Sequence, residues 1–170
     1  MGKGSNLVYT ITYQTKAIMH KESSYYRSWI LEGERERFVL HKPEKIIEHN
    51  CLIYGTTMEG RKTAVQSILK SARKLPIPVS PEKGFYMIPT TSTRKKDCVW
   101  LAYHHIKSYE QRDDKTYISF YDGTGLFVNI SEFAFDMQYK RTSQVIVHLN
   151  RPVIFSRINV IPRGPSGGTS

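Results

Sequence analysis

A chain of 170 residues with 39% hydrophobic residues can bury one sizeable core, and its size suits one domain better than two. Its 25 Lys and Arg against 15 Asp and Glu leave a formal charge of +10, which makes nucleic acid or another anionic surface the first class of partner to consider. No run of about eighteen apolar residues exists to cross a membrane, no apolar stretch follows Lys3 to form a secretory leader, and two cysteines are too few for a disulfide scaffold, so a cytoplasmic location without a membrane partner is expected.

In chain order, Asn6 to Tyr13 alternates apolar and polar residues, with Leu7, Tyr9, Ile11 and Tyr13 on one side, the period-two signature of a half-buried strand. Tyr26 to Leu31 and Arg37 to His41 read as further strands, being rich in aromatic and β-branched residues. Pro43 to His49 reads as a short helix, since Pro suits a first turn and Glu44 suits the positive end of the dipole. The main helix is expected at about residues 60–74. There Val65, Ile68, Leu69 and Ala72 recur at i, i+3, i+4 and i+7, after Gly60 and before Pro76, which lacks the N–H to continue. Its other face is cationic.

Phe85 to Pro89, Cys98 to Ile106, Lys115 to Tyr121, Leu126 to Ile130 and Val145 to Leu149 complete the predicted strands. Asp122-Gly123-Thr124-Gly125 joins two of them as a hairpin turn, where Gly supplies positive φ without steric cost. Residues 162–170 contain no large apolar side chain and are expected to form a disordered tail. The predicted class is α+β: one strand-rich domain over residues 1–161, with one main basic amphipathic helix and a flexible C-terminal tail.

From Arg61 to Lys96 the cations are Arg61, Lys62, Lys70, Arg73, Lys74, Lys83, Arg94, Lys95 and Lys96, against Glu82 alone. A helix opening on Gly60-Arg61-Lys62 would combine unpaired N–H groups, the dipole and two cations at one place, which suits an oxyanion. The order of a Walker motif is absent. In Thr90-Thr91-Ser92-Thr93-Arg94-Lys95-Lys96, short hydroxyls beside long cations supply many donors for phosphate oxygens, and arginine in particular enters a narrow A/T-rich minor groove.

Other chemistry is weakly supported. Cys51 and Cys98 have neither a C-x-x-C partner nor histidines at metal spacing, so they are expected to be buried packing residues rather than zinc ligands, and no cofactor is expected. His104 and His105 fall on a predicted strand, where neighbours face opposite ways. His105, Lys107 and His148 could be cast as an acid–base set, but nothing in their spacing selects them. Asp113-Asp114 reads as a solvated turn rather than a magnesium site.

Taken together, Cys51-Leu-Ile-Tyr54-Gly55, Gly60-Arg61-Lys62, Lys74-Leu-Pro76-Ile77-Pro-Val79, Pro89-Thr90-Thr-Ser92-Thr93-Arg94 and Cys98-Val-Trp100, with His104 or His105 beyond, resemble the ComK family of competence transcription factors of Gram-positive bacteria. The likeness covers residues 45–109 well and the flanks loosely. It implies a DNA-binding activator, not an enzyme, that engages paired A/T-rich boxes of double-stranded DNA largely from the minor-groove side, as a homodimer or dimer of dimers. It also implies recruitment of RNA polymerase to genes for DNA uptake and recombination. Arg61, Lys62 and Arg94 match the family pattern, while Lys70, Arg73, Lys74, Lys95 and Lys96 join the expected DNA-binding set on charge. The family's further C-terminal segment, implicated in capture by the MecA adaptor and Clp protease, is not matched, because here the chain passes from Phe155-Ser-Arg-Ile-Asn-Val-Ile161 into Gly and Ser. The alternative reading is an RNA-binding module or small nuclease that uses the same cations.

Overall fold

Nine strands and three helices make up the described part of the protein. The structure, a computed structural model, describes residues 7–160, so the tail expected at 162–170 lies outside the described residues. Strands β1 (Thr15–His20), β2 (Ser28–Glu32), β3 (Arg35–Val39), β4 (Ile77–Ser80), β5 (Phe85–Pro89) and β6 (Val99–Ala102) form one antiparallel sheet in the order β3-β2-β1-β6-β5-β4. A second antiparallel sheet holds β7 (Ile106–Arg112), β8 (Lys115–Phe120) and β9 (Gly125–Val128). The helices are α1 (Pro43–Ile53), α2 (Met58–Leu69) and α3 (Glu132–Val160). The α+β class expected from the sequence is therefore the class observed. Among the described residues no helix is long and apolar enough to cross a membrane.

Both faces of the larger sheet are covered at β5 and β6, which is why these strands read as unbroken apolar runs rather than as alternating ones, whereas the edge strand β3 is largely exposed. Phe85, Met87, Trp100 and Ala102 point to one side, where Ile46, Ile47 and Cys51 of α1 meet Tyr9 and Ile11. Ile88, Val99 and Leu101 point to the other, against Ile118, Phe120 and Val128 of the second sheet and Phe135 of α3. A third cluster joins Val65 of α2, Leu75, Tyr86 and Val145 of α3. A bulge between Thr15 and Ala17 lets Lys16 reach the second sheet, where its Nζ lies 2.8 Å from Asp122 and 2.9 Å from the Thr124 hydroxyl.

The strand expected at Asn6 to Tyr13 is not formed over the described residues 7–13, which belong to neither sheet, and Tyr13 lies in a turn. The buried Asn50 side chain takes the place of a neighbouring strand, accepting from Ile11 N–H at 2.9 Å and donating to the Tyr9 carbonyl at 2.8 Å. The short helix expected at residues 43–49 runs on to Ile53. The hairpin expected at Asp122–Gly125 is present, with Gly123 at φ 89.

Three further expectations are corrected. The main helix spans Met58–Leu69 rather than about 60–74: Thr57 caps it two residues earlier, and Lys70 turns left-handed (φ 53) and ends it well before Pro76. Val145 to Leu149 is not a strand but the middle of α3. Its buried stripe of Phe135, Gln138, Thr142 and Val145 contains two polar residues that break the apolar period. His104 and His105 lie in a tight 3-10 turn at Tyr103–His105, so both Nε2 atoms come to the Tyr13 carbonyl, at 3.2 and 2.6 Å, instead of facing opposite ways.

Candidate nucleic-acid interface

The anion cradle expected at Gly60-Arg61-Lys62 is not formed. These residues lie inside the first turn of α2, where Gly60 N–H donates to the Thr57 hydroxyl at 2.9 Å and Arg61 N–H to the Thr57 carbonyl at 3.1 Å. Donors bonded in this way cannot also receive a phosphate. Arg61 is half-buried, and its charge is felt by Cys51 and Tyr86.

The fold gathers the other cations differently. An open groove of about 810 Å³ is lined by Lys62 on α2, by Arg73 and Lys74 in the turn that follows α2, and by Thr90 to Lys95 in the loop between β5 and β6. Five of the eight expected residues, Lys62, Arg73, Lys74, Arg94 and Lys95, meet there, with Glu59 as the one carboxylate among the described lining residues. Lys62 is partly neutralised, with Nζ 3.7 Å from Glu44 and 3.8 Å from Glu59. Arg61, Lys70 and Lys96 do not line the groove, and Lys96 pairs with Glu22 at 3.1 Å.

The loop from β5 is braced at its base. Thr90 N–H donates to the Val99 carbonyl, and Val99 N–H to the Thr90 hydroxyl, both at 3.0 Å. Lys95 N–H donates to the Ser92 carbonyl at 3.0 Å, and Cys98 Sγ reaches the Thr91 carbonyl at 3.6 Å. These bonds hold the tip so that Arg94 and Lys95 stand out into solvent. The Asn129 amide donates to Asp97 at 3.0 Å, tying the loop to the end of β9.

The turn from α2 is less relaxed. Lys70 and Lys74 both have positive φ, 53 and 49, in a region that costs an L residue roughly 1–2 kcal/mol. Side chains from α3 hold it. Gln138 donates to the Lys74 carbonyl at 2.9 Å, and Arg141 donates to the Arg73 carbonyl at 2.8 Å, to Ser71 Oγ at 3.3 Å and to the Lys74 carbonyl at 3.4 Å. Sequence reasoning missed both residues because it missed α3. The usable signal was Ser131-Glu132 at its start, where Ser131 Oγ accepts from Ala134 N–H at 3.1 Å as a helix cap.

Cys51 and Cys98 are buried unpaired thiols in the core between α1 and the larger sheet, and burial pushes the Cys51 thiol up to about 11. The ComK family model matches residues 7–152, which includes both segments that line the groove. The chain belongs to the ComK family. It is 30% identical over 117 residues to a protein of Bacillus subtilis (strain 168) named competence transcription factor, a match covering 68% of this chain and 61% of that relative. No solved structure matches the chain. Membership of the ComK family extends the likeness from residues 45–109 to residues 7–152, which takes in α3 as far as Pro152.

Proposed function

We propose that this chain is a DNA-binding transcription regulator that activates competence genes for DNA uptake and recombination. The observation that carries the reading is the groove, where Lys62, Arg73, Lys74, Arg94 and Lys95 stand around short hydroxyls with Glu59 as the one described carboxylate. Its partner is A/T-rich duplex DNA, bound by a homodimer or dimer of dimers that works with RNA polymerase. Lys62, Arg73 and Lys74 neutralise phosphates, and Ser92 and Thr93, nearer the tip of the loop than the buried Thr90 and Thr91, supply compact donors to the same strand. Arg94, at the exposed tip of a braced loop, enters the minor groove, because guanidinium sheds water more readily than ammonium and the narrow A/T groove concentrates negative potential. The relative's name supports the competence assignment.

Competition binding tests this at one salt concentration, with A/T-rich duplex, G/C-rich duplex and RNA as competitors. Arg94→Ala is expected to cost about 1–3 kcal/mol on the A/T-rich duplex and to flatten the preference for it, whereas Arg73→Ala weakens both duplexes alike. Equal losses for Arg94→Ala on both duplexes refute the minor-groove assignment. Preference for RNA, or conversion of either nucleic acid to shorter product, favours the RNA-binding or nuclease reading instead.

A further inference from the structure

Gln138 stands where α3 touches both segments of the groove at once. It is 2% exposed, and its amide nitrogen donates to the Lys74 carbonyl at 2.9 Å and to the Pro89 carbonyl at 2.8 Å. Its Oε1 accepts from Arg141. Lys74 belongs to the turn after α2, while Pro89 is the last residue of β5 and immediately precedes the Thr90 to Lys95 loop. One primary amide therefore spends its two N–H groups on the two backbones that carry Arg73, Lys74, Arg94 and Lys95. A leucine or methionine at the same place on α3 would fill the volume and hold neither backbone.

We infer that Gln138, supported by Arg141, is a positioning residue that sets the spacing between the two cation-bearing segments, and so determines how many phosphates the groove engages together. This rests on the DNA-binding reading above. The left-handed backbone at Lys70 and Lys74 needs such support, because a turn carrying residues in a disfavoured conformation relaxes when its carbonyl partners leave. Arg141 completes the hold with its bonds to the carbonyls of Arg73 and Lys74 and to the Ser71 hydroxyl. A binding constellation of this kind keeps its geometry to about 0.5 Å only when a supporting shell fixes it. The joint acts through other side chains and makes no contact with DNA itself.

The test compares wild type, Gln138→Met, Arg73→Ala/Lys74→Ala/Arg94→Ala and the combination of all four changes, on one A/T-rich duplex. It reads Kd and the dependence of log K on log salt, at a temperature well below every unfolding transition. The expected result for Gln138→Met is a Kd raised about tenfold and a salt slope shallower by about two phosphate contacts. In the background lacking the three cations, the same change is expected to alter Kd by less than about twofold, the non-additivity of residues acting through one another. A merely structural glutamine would lower the unfolding temperature and leave the slope of the folded protein unchanged. Wild-type slope in folded Gln138→Met, or an equal fold-loss in both backgrounds, overturns the joint while leaving the DNA reading intact. Failure of wild type to bind duplex, or indifference to the triple substitution, overturns the DNA reading and the joint with it. Should Gln138→Met unfold, Arg141→Lys keeps the cation and loses the fork on the two carbonyls. It is expected to reduce the slope in the same direction, and a wild-type slope there refutes the inference.

Discussion

Removing Arg73 and Lys74 together gives the most direct numerical check on the groove. Four cations line it without a carboxylate within ion-pair range among the described residues, Arg73, Lys74, Arg94 and Lys95, and Lys62 is a fifth that already shares its charge with Glu44 and Glu59. Counting four to five phosphates neutralised per protomer, log K is expected to fall with log salt with a slope of about −3.6 to −4.5, or about 150- to 500-fold between 50 and 200 mM salt. Arg73→Ala/Lys74→Ala removes two contacts and is expected to bring the slope to about −1.8 to −2.7. Assembly of several protomers multiplies all slopes and leaves their ratio unchanged. Lys115→Ala, on an exposed cation at the start of β8 and outside the groove, serves as the control for net charge alone. Fluorescence anisotropy with a labelled A/T-rich duplex at four salt concentrations reads all three slopes. A wild-type slope in the double variant, or a loss of the same size in Lys115→Ala, would show that binding follows overall charge and not the groove.

Three further outcomes follow from the interior. Asn50→Leu strips Ile11 N–H and the Tyr9 carbonyl of their partners in a buried place, so urea titration is expected to show a loss of about 2–4 kcal/mol, and a loss under about 1 kcal/mol contradicts the strand-substitute role. Lys16 and then the Thr124 hydroxyl hold the Asp122 carboxyl well below its usual 3.8. A depressed carboxyl adds stability that is present above the unfolded-state value and is lost as pH falls below it. Wild type and Asp122→Asn should therefore differ by a constant amount from neutral pH down to about pH 4 and converge as pH falls further through the folded-state value, and a difference still constant at about pH 2 disproves the assignment. Burial raises the thiols of Cys51, to about 11, and of Cys98. A disulfide reagent is accordingly expected to label neither in the native protein and both in denaturant, and rapid native labelling would count against this packing.

The parts of the fold that were legible in the sequence are those whose burial leaves an apolar trace. Phe85–Pro89 was bounded correctly because a strand covered on both faces must be apolar throughout. Helix α3 was not legible, since the face it buries carries Gln138 and Thr142, whose polar groups are satisfied by the very contacts that sequence cannot display. The end of α2 was misplaced because the usual sign of a left-handed terminus is Gly or Asn, and here Lys70 adopts it. At the site, the charge bias from Arg61 to Lys96 was plain, yet which cations converge depended on tertiary arrangement. Lys70 and Lys96 are lysines like Lys74 and Lys95, but they stand outside the groove. Arg61 likewise lies outside the groove, and the N–H groups of Gly60 and Arg61 that suggested an anion site are taken by Thr57, which starts the helix at Met58.

Helix α3 follows in the chain everything that it braces. Gln138 lies 64 residues beyond Lys74 and 49 beyond Pro89, so closing these bonds carries the entropy of long loops and waits on the strands between. On a ribosome the strands of both sheets emerge before the helix that sets the turn, and synthesis proceeds at only about 5–20 residues per second. A nascent chain thus displays its basic turn with the carbonyls of Arg73 and Lys74 not yet held by α3. The spacing of the two basic segments is thus set late, only once α3 has followed both sheets out and its Gln138 and Arg141 have closed on carbonyls made long before.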